Sequence, residues 1–394
     1  MKRAFVPVAS MFAIQVMISL SVLSLGVMMP VIAQDLAIDP KLVGVFTALI
    51  YGVATVVALA AAAPIVRIGA VRVCQGALLM AAVGLALNSL ALVTATVAAV
   101  LFIGVAQGPI NPASAHILAQ RVPREYFGMV FSVKQTGTPV GFALAGLVFP
   151  ALMQVAGWRG ASLIAAGALV LAAIVVEPLR PRLDVLAVEG RASRSIWQSI
   201  RFVMRHPQLR VLGWSAFVFV VAQHTFTFYL VTYLYEHCGM SVARAGFLLF
   251  LSQSVGAGVR LVSGGAGDRI PRMLLLGWTG IGMTVGCIAT GLLQPDTPFW
   301  LIALVVIGYG SVVISWNGTS QAEFAHLSPP GEAAAVAAVQ TALAFSGAVF
   351  GPPIFALIAS VVSYRAAFLA VAACVLAVGI WQIAVARRGR IIPG

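Results

Sequence analysis

Twelve apolar runs of 20 to 31 residues fill this sequence, at about 6–34, 42–66, 73–95, 96–119, 126–156, 159–178, 209–235, 241–265, 273–293, 298–319, 333–361 and 364–386. A helix crosses the roughly 30 Å hydrocarbon core of a bilayer in about 20 residues, so each run is long enough to span. Apolar residues make up 61% of the chain and charged residues only 9%, against about 45–50% and about 25% in a soluble globular protein. Twelve spans use roughly 240 residues, which leaves short loops and no room for a large soluble catalytic or nucleic-acid-binding domain. An outer-membrane barrel would show alternating segments of about ten residues, and none is present. The expected fold class is an all-α membrane protein of twelve transmembrane helices.

Many of the junctions hold Pro, Gly or charge, as in Asp39-Pro40-Lys41, Gln294-Pro295-Asp296-Thr297-Pro298 and Ser328-Pro329-Pro330-Gly331-Glu332, and these read as loops. One long polar segment, 179–208, divides the chain into halves of six. The expected organisation is therefore an N-terminal bundle over 1–178, a linker over 179–208 and a C-terminal bundle over 209–394. Within the linker, Ile196, Trp197, Ile200, Val203 and Met204 recur at helical spacing behind a Ser195/Gln198 capping box. Such a basic amphipathic helix is expected to lie on the inner membrane surface.

The net charge of +13 would suggest nucleic acid in a soluble protein, but its distribution explains it otherwise. With the N-terminus inside, 18 of the 24 Lys and Arg fall on the inner side, among them Arg67, Arg72, Arg180, Arg201, Arg269, Arg272 and Arg387, and only Lys41, Arg159, Arg244 and Arg365 fall outside. The positive-inside rule then places both termini in the cytoplasm and the chain, multi-pass, in the cell inner membrane. The first run is far longer than the 7–15-residue core of a signal peptide and reads as an uncleaved helix. The four cysteines, Cys74, Cys238, Cys287 and Cys374, share no metal-ligand spacing, and no cofactor or metal is expected.

Three short matches relate the halves in the same order. Val66-Arg67-Ile68-Gly69 matches Asp268-Arg269-Ile270-Pro271 at an offset of 202, Gln135-Thr136 matches Gln340-Thr341 at 205, and Trp158-Arg159 matches Tyr364-Arg365 at 206. Two related six-helix halves are the arrangement of one large transporter class.

With Gly264-Gly265-Ala266-Gly267-Asp268-Arg269-Ile270-Pro271-Arg272, the whole chain resembles the major facilitator superfamily, whose loop signature is Gly, three residues, Asp-Arg, one residue, Gly-Arg. Pro271 departs from the final Gly. The first-half copy has Ala62 for the Gly and Val66 for the Asp but keeps Arg67 and Gly69. The resemblance implies gating roles for Asp268, Arg269, Arg272 and Arg67, which would latch one end of the helices between transport cycles. Gly265-Ala266-Gly267-Asp268 also spells the Gly-x-Gly-Asp of intramembrane aspartyl proteases. Those enzymes need a second carboxylate on a neighbouring helix, and all eleven acids lie in loops or at helix ends. With no hydrolase or zinc-protease motif either, the chain is not expected to be an enzyme.

Ionisable groups inside the membrane mark what moves, because each costs about 2.5–3.5 kcal/mol at a helix centre. Lys134, Arg260 and His224 qualify. Arg260 precedes Asp268 by eight residues, about 12 Å along a helix, and Lys134 follows Arg124 by ten, so both reach similar depth. The resemblance implies that the fifth and eighth helices face one another, which would bring the two cations to one cavity with no buried acid to pair them. The missing counter-charge is most simply an anionic substrate. Gln253, Gly256, Arg260 and Gly264 form a small and polar helix face, while Gln15, Gln107, Asn111, Tyr309, Trp316 and Asn317 lie on helices 1, 4 and 10, which line the family's cavity.

Arg260-Leu261-Val262-Ser263-Gly264 is similar in spacing to the eighth-helix Arg of oxalate/formate and monocarboxylate transporters, where that Arg grips the carboxylate. The eleventh-helix Lys of the oxalate type is absent, and cyanate-permease-like members look equally close. The expected function is secondary active transport of a small organic anion, a carboxylate, by symport or antiport through alternating access. Proton-coupled export of drugs or amphiphiles is the alternative, against which Gly104 stands where such exporters carry an Arg. The expected partners are the anion, with or without protons, and the lipid bilayer, with no nucleic acid and no second copy of the chain. Of the deeply placed side chains only His224 has an unperturbed pKa near neutrality, so protein-borne proton coupling would run through it.

Overall fold

The computed structural model describes residues 2–121, 130, 133–184, 196–266, 270–328 and 333–388. Among them there is no strand. Eleven helical stretches are long and apolar enough to cross a membrane, and one of them, Val133–Leu179, has 47 residues. A straight helix of that length would extend about 70 Å, more than twice the bilayer core. It is broken at Gly157, whose φ of 65° and ψ of 174° are open to glycine but strained for an L side chain. The two arms are separate crossings, which makes twelve.

We number the crossings from one to twelve. They are Lys2–Leu36; Val43–Ala60 continued by Ala62–Ile68; Ala70–Asn88; Val93–Gln107 continued by Ile110–Arg121; the two arms of Gly137–Val176; Pro207–Glu236; Val242–Ala266; Arg272–Gly291; Phe299–His326; Ala333–Val361; and Tyr364–Arg388. The loop between the third and fourth crossings falls at 89–92, before the boundary expected near residue 95. Ala91 adopts a φ of 57° there without Gly or Pro, so the turn carries no compositional signal. Other stops follow their residues. Asp39 caps the short Pro40–Leu42 turn by accepting from the Lys41 amide at 2.8 Å, and Thr297 Oγ1 accepts from the Gln294 amide at 2.9 Å.

Contacts divide the chain into two units, Met1–Glu189 with Met240–Phe250, and Gly190–Gly239 with Leu251–Gly394. In each unit several helix pairs meet at backbone distance through glycine, and two of these contacts are equivalent. In the first, a Cβ on Gly141 would lie 2.5 Å from Val16 O, which joins the fifth crossing to the first. In the second, a Cβ on Gly347 would lie 2.3 Å from Phe217 O, which joins the eleventh to the seventh. These glycines are 206 residues apart, so the sequence repeat is also a repeat of packing.

Each unit also ties an acid to an aromatic donor 123 to 128 residues further along the chain. Asp35 Oδ2 accepts from Trp158 Nε1 at 3.1 Å and pairs with Arg159 at 2.8 Å. In the other unit Tyr364 OH donates to Glu236 Oε2 at 2.5 Å. The bonds hold the end of one helix to the turn that starts another, which is why Trp158-Arg159 and Tyr364-Arg365 recur in equivalent places.

The basic helix expected in the linker runs over Ile196–Arg205. Val203 is fully buried while Arg201 and Arg205 are exposed. Its apolar side packs on the seventh and eleventh crossings, so protein covers part of the face expected to meet lipid. Ser195, the expected cap, lies outside the described residues.

One buried group in the second unit works against stability. Gln382, on the twelfth crossing, is 0% exposed, and neither its Nε2 nor its Oε1 has a hydrogen-bond partner among the described residues. Leaving an amide unpaired in an apolar interior costs about 1–3 kcal/mol. Gln382→Met keeps the volume and removes the polar atoms, so the variant should melt about 2 °C or more above wild type in detergent. An unchanged or lower melting temperature would mean that the amide is satisfied.

Candidate functional site

In the first unit the candidate residues gather around Lys134. This lysine is 2% exposed, and its Nζ donates to Asn111 Oδ1 at 2.5 Å. Gln15 is 1% exposed; its Nε2 donates to Ser19 Oγ at 3.1 Å, and its Oε1 has no partner among the described residues. A Cβ on Gly137, one turn beyond Lys134, would lie 3.0 Å from Gln15 Cβ, so the first crossing runs alongside the lysine. Gln107, one turn before Asn111, likewise has a buried Oε1 without a partner.

Two helices interrupt their hydrogen-bond ladders at this cluster. The fourth crossing breaks at Gly108-Pro109, between Gln107 and Asn111, because Pro109 has no N–H to donate. The fifth tightens at Thr136, where the amide donates to Val133 O at 3.2 Å. Interrupted membrane helices frequently surround binding sites, since freed backbone polar groups need partners there. The Gly-Pro dipeptide beside two polar residues was the sequence signal for this feature.

The second unit holds Arg260, His224, Gln253, Tyr309, Trp316 and Asn317. Gln253 Nε2 donates to Thr227 Oγ1 at 3.2 Å, joining the eighth crossing to the seventh. Trp316 Nε1 donates to Gln223 Oε1 at 2.9 Å, joining the tenth to the seventh. His224 stacks on Phe228 with centroids 5.7 Å apart, and its Nδ1 lies 3.2 Å from Val220 O. Tyr309 is 2% exposed, with its hydroxyl 2.8 Å from Cys287 Sγ, so it packs toward the ninth crossing. Gln223 and Thr227, which serve as partners here, were legible only as polar neighbours of His224.

Arg260 differs from these residues. No hydrogen bond or ion pair reaches its side chain among the described residues. The eighth crossing contains no acid. Asn317 Oδ1 is buried and also without a partner among the described residues.

Of the expected gating residues, Asp268 and Arg269 lie outside the described residues. Arg67 is exposed. Arg272 lies 3.8 Å from Glu323 across the ninth and tenth crossings. In the first unit the signature acid is replaced by Val66, but Asp184 stands against the same turn. Its Oδ1 accepts from the Val71 amide at 2.8 Å, and Gly69, with φ 94°, leaves the space its carboxylate occupies. Nearby, Arg72 pairs with Glu177 at 2.9 Å. A carboxylate 113 residues from its partner leaves no local pattern to read.

The Major Facilitator Superfamily model matches residues 11–349, and the chain belongs to that family. The family is one of membrane transporters rather than enzymes, and the chain is a multi-span membrane protein. Two uncharacterized MFS-type transporters from two strains of Mycobacterium tuberculosis are each 31% identical to it over 208 residues, which is 50% of this chain and 45% of theirs. The chain thus spans about half the length of the curated relatives it matches. Among solved structures it resembles the nucleoside transporter NupG, with a TM-score of 0.79 and 15% identity over 97% of this chain and 99% of that one. It also resembles a bacterial homolog of the human lysosomal transporter Spinster in an inward-facing, occupied conformation, with a TM-score of 0.77 and 13% identity over 98% and 97%. At these identities the likeness shows the fold alone.

Proposed function

We propose that this transporter carries a small organic anion, a carboxylate, by alternating access of two six-helix halves joined by the 179–208 linker, and that Arg260 and Lys134 bear the charge that binds it. The observation that carries the reading is Arg260, a guanidinium in an apolar span with no acid, ion pair or hydrogen bond among the described residues. Such a group is costly unless its counter-charge arrives with the cargo. Lys134 supports the reading, because the partner it has, Asn111, is neutral. In the empty carrier the charge of Arg260 goes unneutralised. A bound anion compensates it in whichever state encloses it, and that differential binding couples occupancy to closure.

Thermal stabilisation of the purified protein across mono-, di- and aromatic carboxylates, inorganic anions and cationic drugs tests the class. A shift with carboxylates is expected. A shift with cationic or neutral drugs alone would overturn the anion reading in favour of a proton-coupled exporter.

The arginine asymmetry supports an orientation with both termini on the cytoplasmic side of the inner membrane. A cysteine at Ser193 should therefore react with an impermeant thiol reagent only after the cells are opened. Labelling of intact cells would reverse the orientation.

Coupling is assigned to His224, since an anion and a proton taken into one cavity attract, and each then raises affinity for the other. His224→Gln proteoliposomes should retain anion exchange but lose accumulation driven by an inward-acid pH gradient. Unimpaired acid-driven accumulation would reject His224 and leave substrate protonation or exchange as the mechanism.

A further inference from the structure

We infer that the anion is a hydroxylated carboxylate, whose carboxylate meets Arg260 while a hydroxyl on the same molecule donates to Asn317 Oδ1. The inference rests on the anion reading above and narrows it.

Arg260 and Asn317 are brought to one level by contacts between the eighth and tenth crossings within the second unit. A Cβ on Gly256 would lie 2.7 Å from Ile314 Cδ1 and 3.0 Å from Gly310 O, so the Ile314 side chain packs directly on the eighth crossing and the two helices approach closely there. One turn beyond Arg260, Ser263 Oγ donates to Ser315 O at 3.1 Å. Arg260 lies between these contacts, and Asn317 follows Ser315 by two residues, so the two side chains leave their helices within about one turn, roughly 5 Å, of each other along the axis. Beside Asn317, a Cβ on Gly318 would meet nothing within 4 Å. The helix surface there has space next to it.

Of the protein donors nearby, three are already used, while the Arg260 guanidinium and the buried Thr319 hydroxyl make no bond to Asn317 among the described residues. Trp316 Nε1 bonds Gln223, Ser315 Oγ bonds Val312 O at 2.8 Å, and Ser263 Oγ bonds Ser315 O. The Asn317 carbonyl is left as a buried acceptor without a partner among the described residues. A buried acceptor is tolerated when something else brings the donor. The ligand that neutralises Arg260 is placed to bring it. A bare carboxylate such as formate or oxalate dianion has acceptors for Arg260 but no donor for Asn317. An ammonium would donate, but the eighth crossing has no acid, and Glu323, the one acid of the tenth, is taken by Arg272. A cation beside an uncompensated guanidinium is repelled. A hydroxyl supplies the donor without the charge.

The test uses the full chain and acids matched in carbon number: glycerate against propionate, and gluconate against hexanoate. Affinities are read from thermal-shift titrations and from competition in proteoliposomes. Wild type should prefer the hydroxylated member of at least one pair by roughly tenfold or more, because a site built around a hydroxyl is left with an unpaired group by its deoxy analogue. Asn317→Leu should bring that pair close to parity while still binding the deoxy acid, and Asn317→Ala serves the same purpose if leucine disturbs folding. The inference is overturned if wild type binds both members of each pair equally, or if the preference survives in both Asn317 variants. Binding of no acid at all by wild type would instead sink the anion reading, and this inference with it.

Discussion

Arg260→Ala protein is expected to fold, run as a single species and bind no carboxylate. Two effects of opposite sign make the result diagnostic. A bidentate guanidinium grip supplies two charge-assisted hydrogen bonds, each contributing about 1.5–3 kcal/mol, so its removal should weaken binding by at least about a hundredfold. The same substitution takes a cation out of an apolar span that costs about 2.5–3.5 kcal/mol to hold there, with no described partner left unpaired. The empty variant should therefore melt at or above the temperature of empty wild type, while losing the upward shift that carboxylates give. Arg260→Lys should recover part of the binding and no more, because a point ammonium cannot reproduce the planar fork. Wild-type transport by Arg260→Ala would remove Arg260 from the mechanism. A variant that melts far below wild type would show instead that the guanidinium braces the fold.

Gly347→Val should abolish the folded second unit. A Cβ there would sit 2.3 Å from Phe217 O and 3.1 Å from Phe217 C, and both are backbone atoms of the seventh crossing, which cannot rotate away. One turn on, a Cβ at Gly351 would meet Val221 side-chain carbons at 2.8 Å, so the whole helix pair would have to part. Overpacking of this kind costs about 3 kcal/mol or more, a large share of the stability of most proteins. The expected outcome is loss of monodisperse protein on size-exclusion chromatography, and Gly141→Val should do the same in the first unit. Gly167→Ala is the control. Nothing lies within 4 Å of a Cβ at that helical position, and replacing a mid-helix glycine with alanine is stabilising by about 0.5–1 kcal/mol. Equal behaviour of Gly347→Val and Gly167→Ala would show that the close approach of the seventh and eleventh crossings is not needed.

The sequence by itself determined the twelve crossings and the unusual status of Arg260. Both follow from local quantities: bilayer thickness selects runs of about 20 apolar residues, and a charge within such a run stands out wherever the helices later go. The four-residue spacing of Gly137/Gly141 and of Gly347/Gly351 is local in the same way, since a small-residue stripe is a property of one helix. Only the tertiary structure decided the partners. Lys134 meets Asn111 from 23 residues away, Trp316 meets Gln223 from 93, Val71 meets Asp184 from 113, and Trp158 meets Asp35 from 123. Three of these pairs lie on two helices whose relative rotation is set by the packing of many apolar side chains, and Asp184 follows the end of a short helix. In an almost uniformly apolar chain the faces of a helix are barely distinguished by composition, so no local pattern says which way a lone polar residue turns. Whether Lys134 is bonded, and Arg260 is not among the described residues, was therefore open until the helices were packed together.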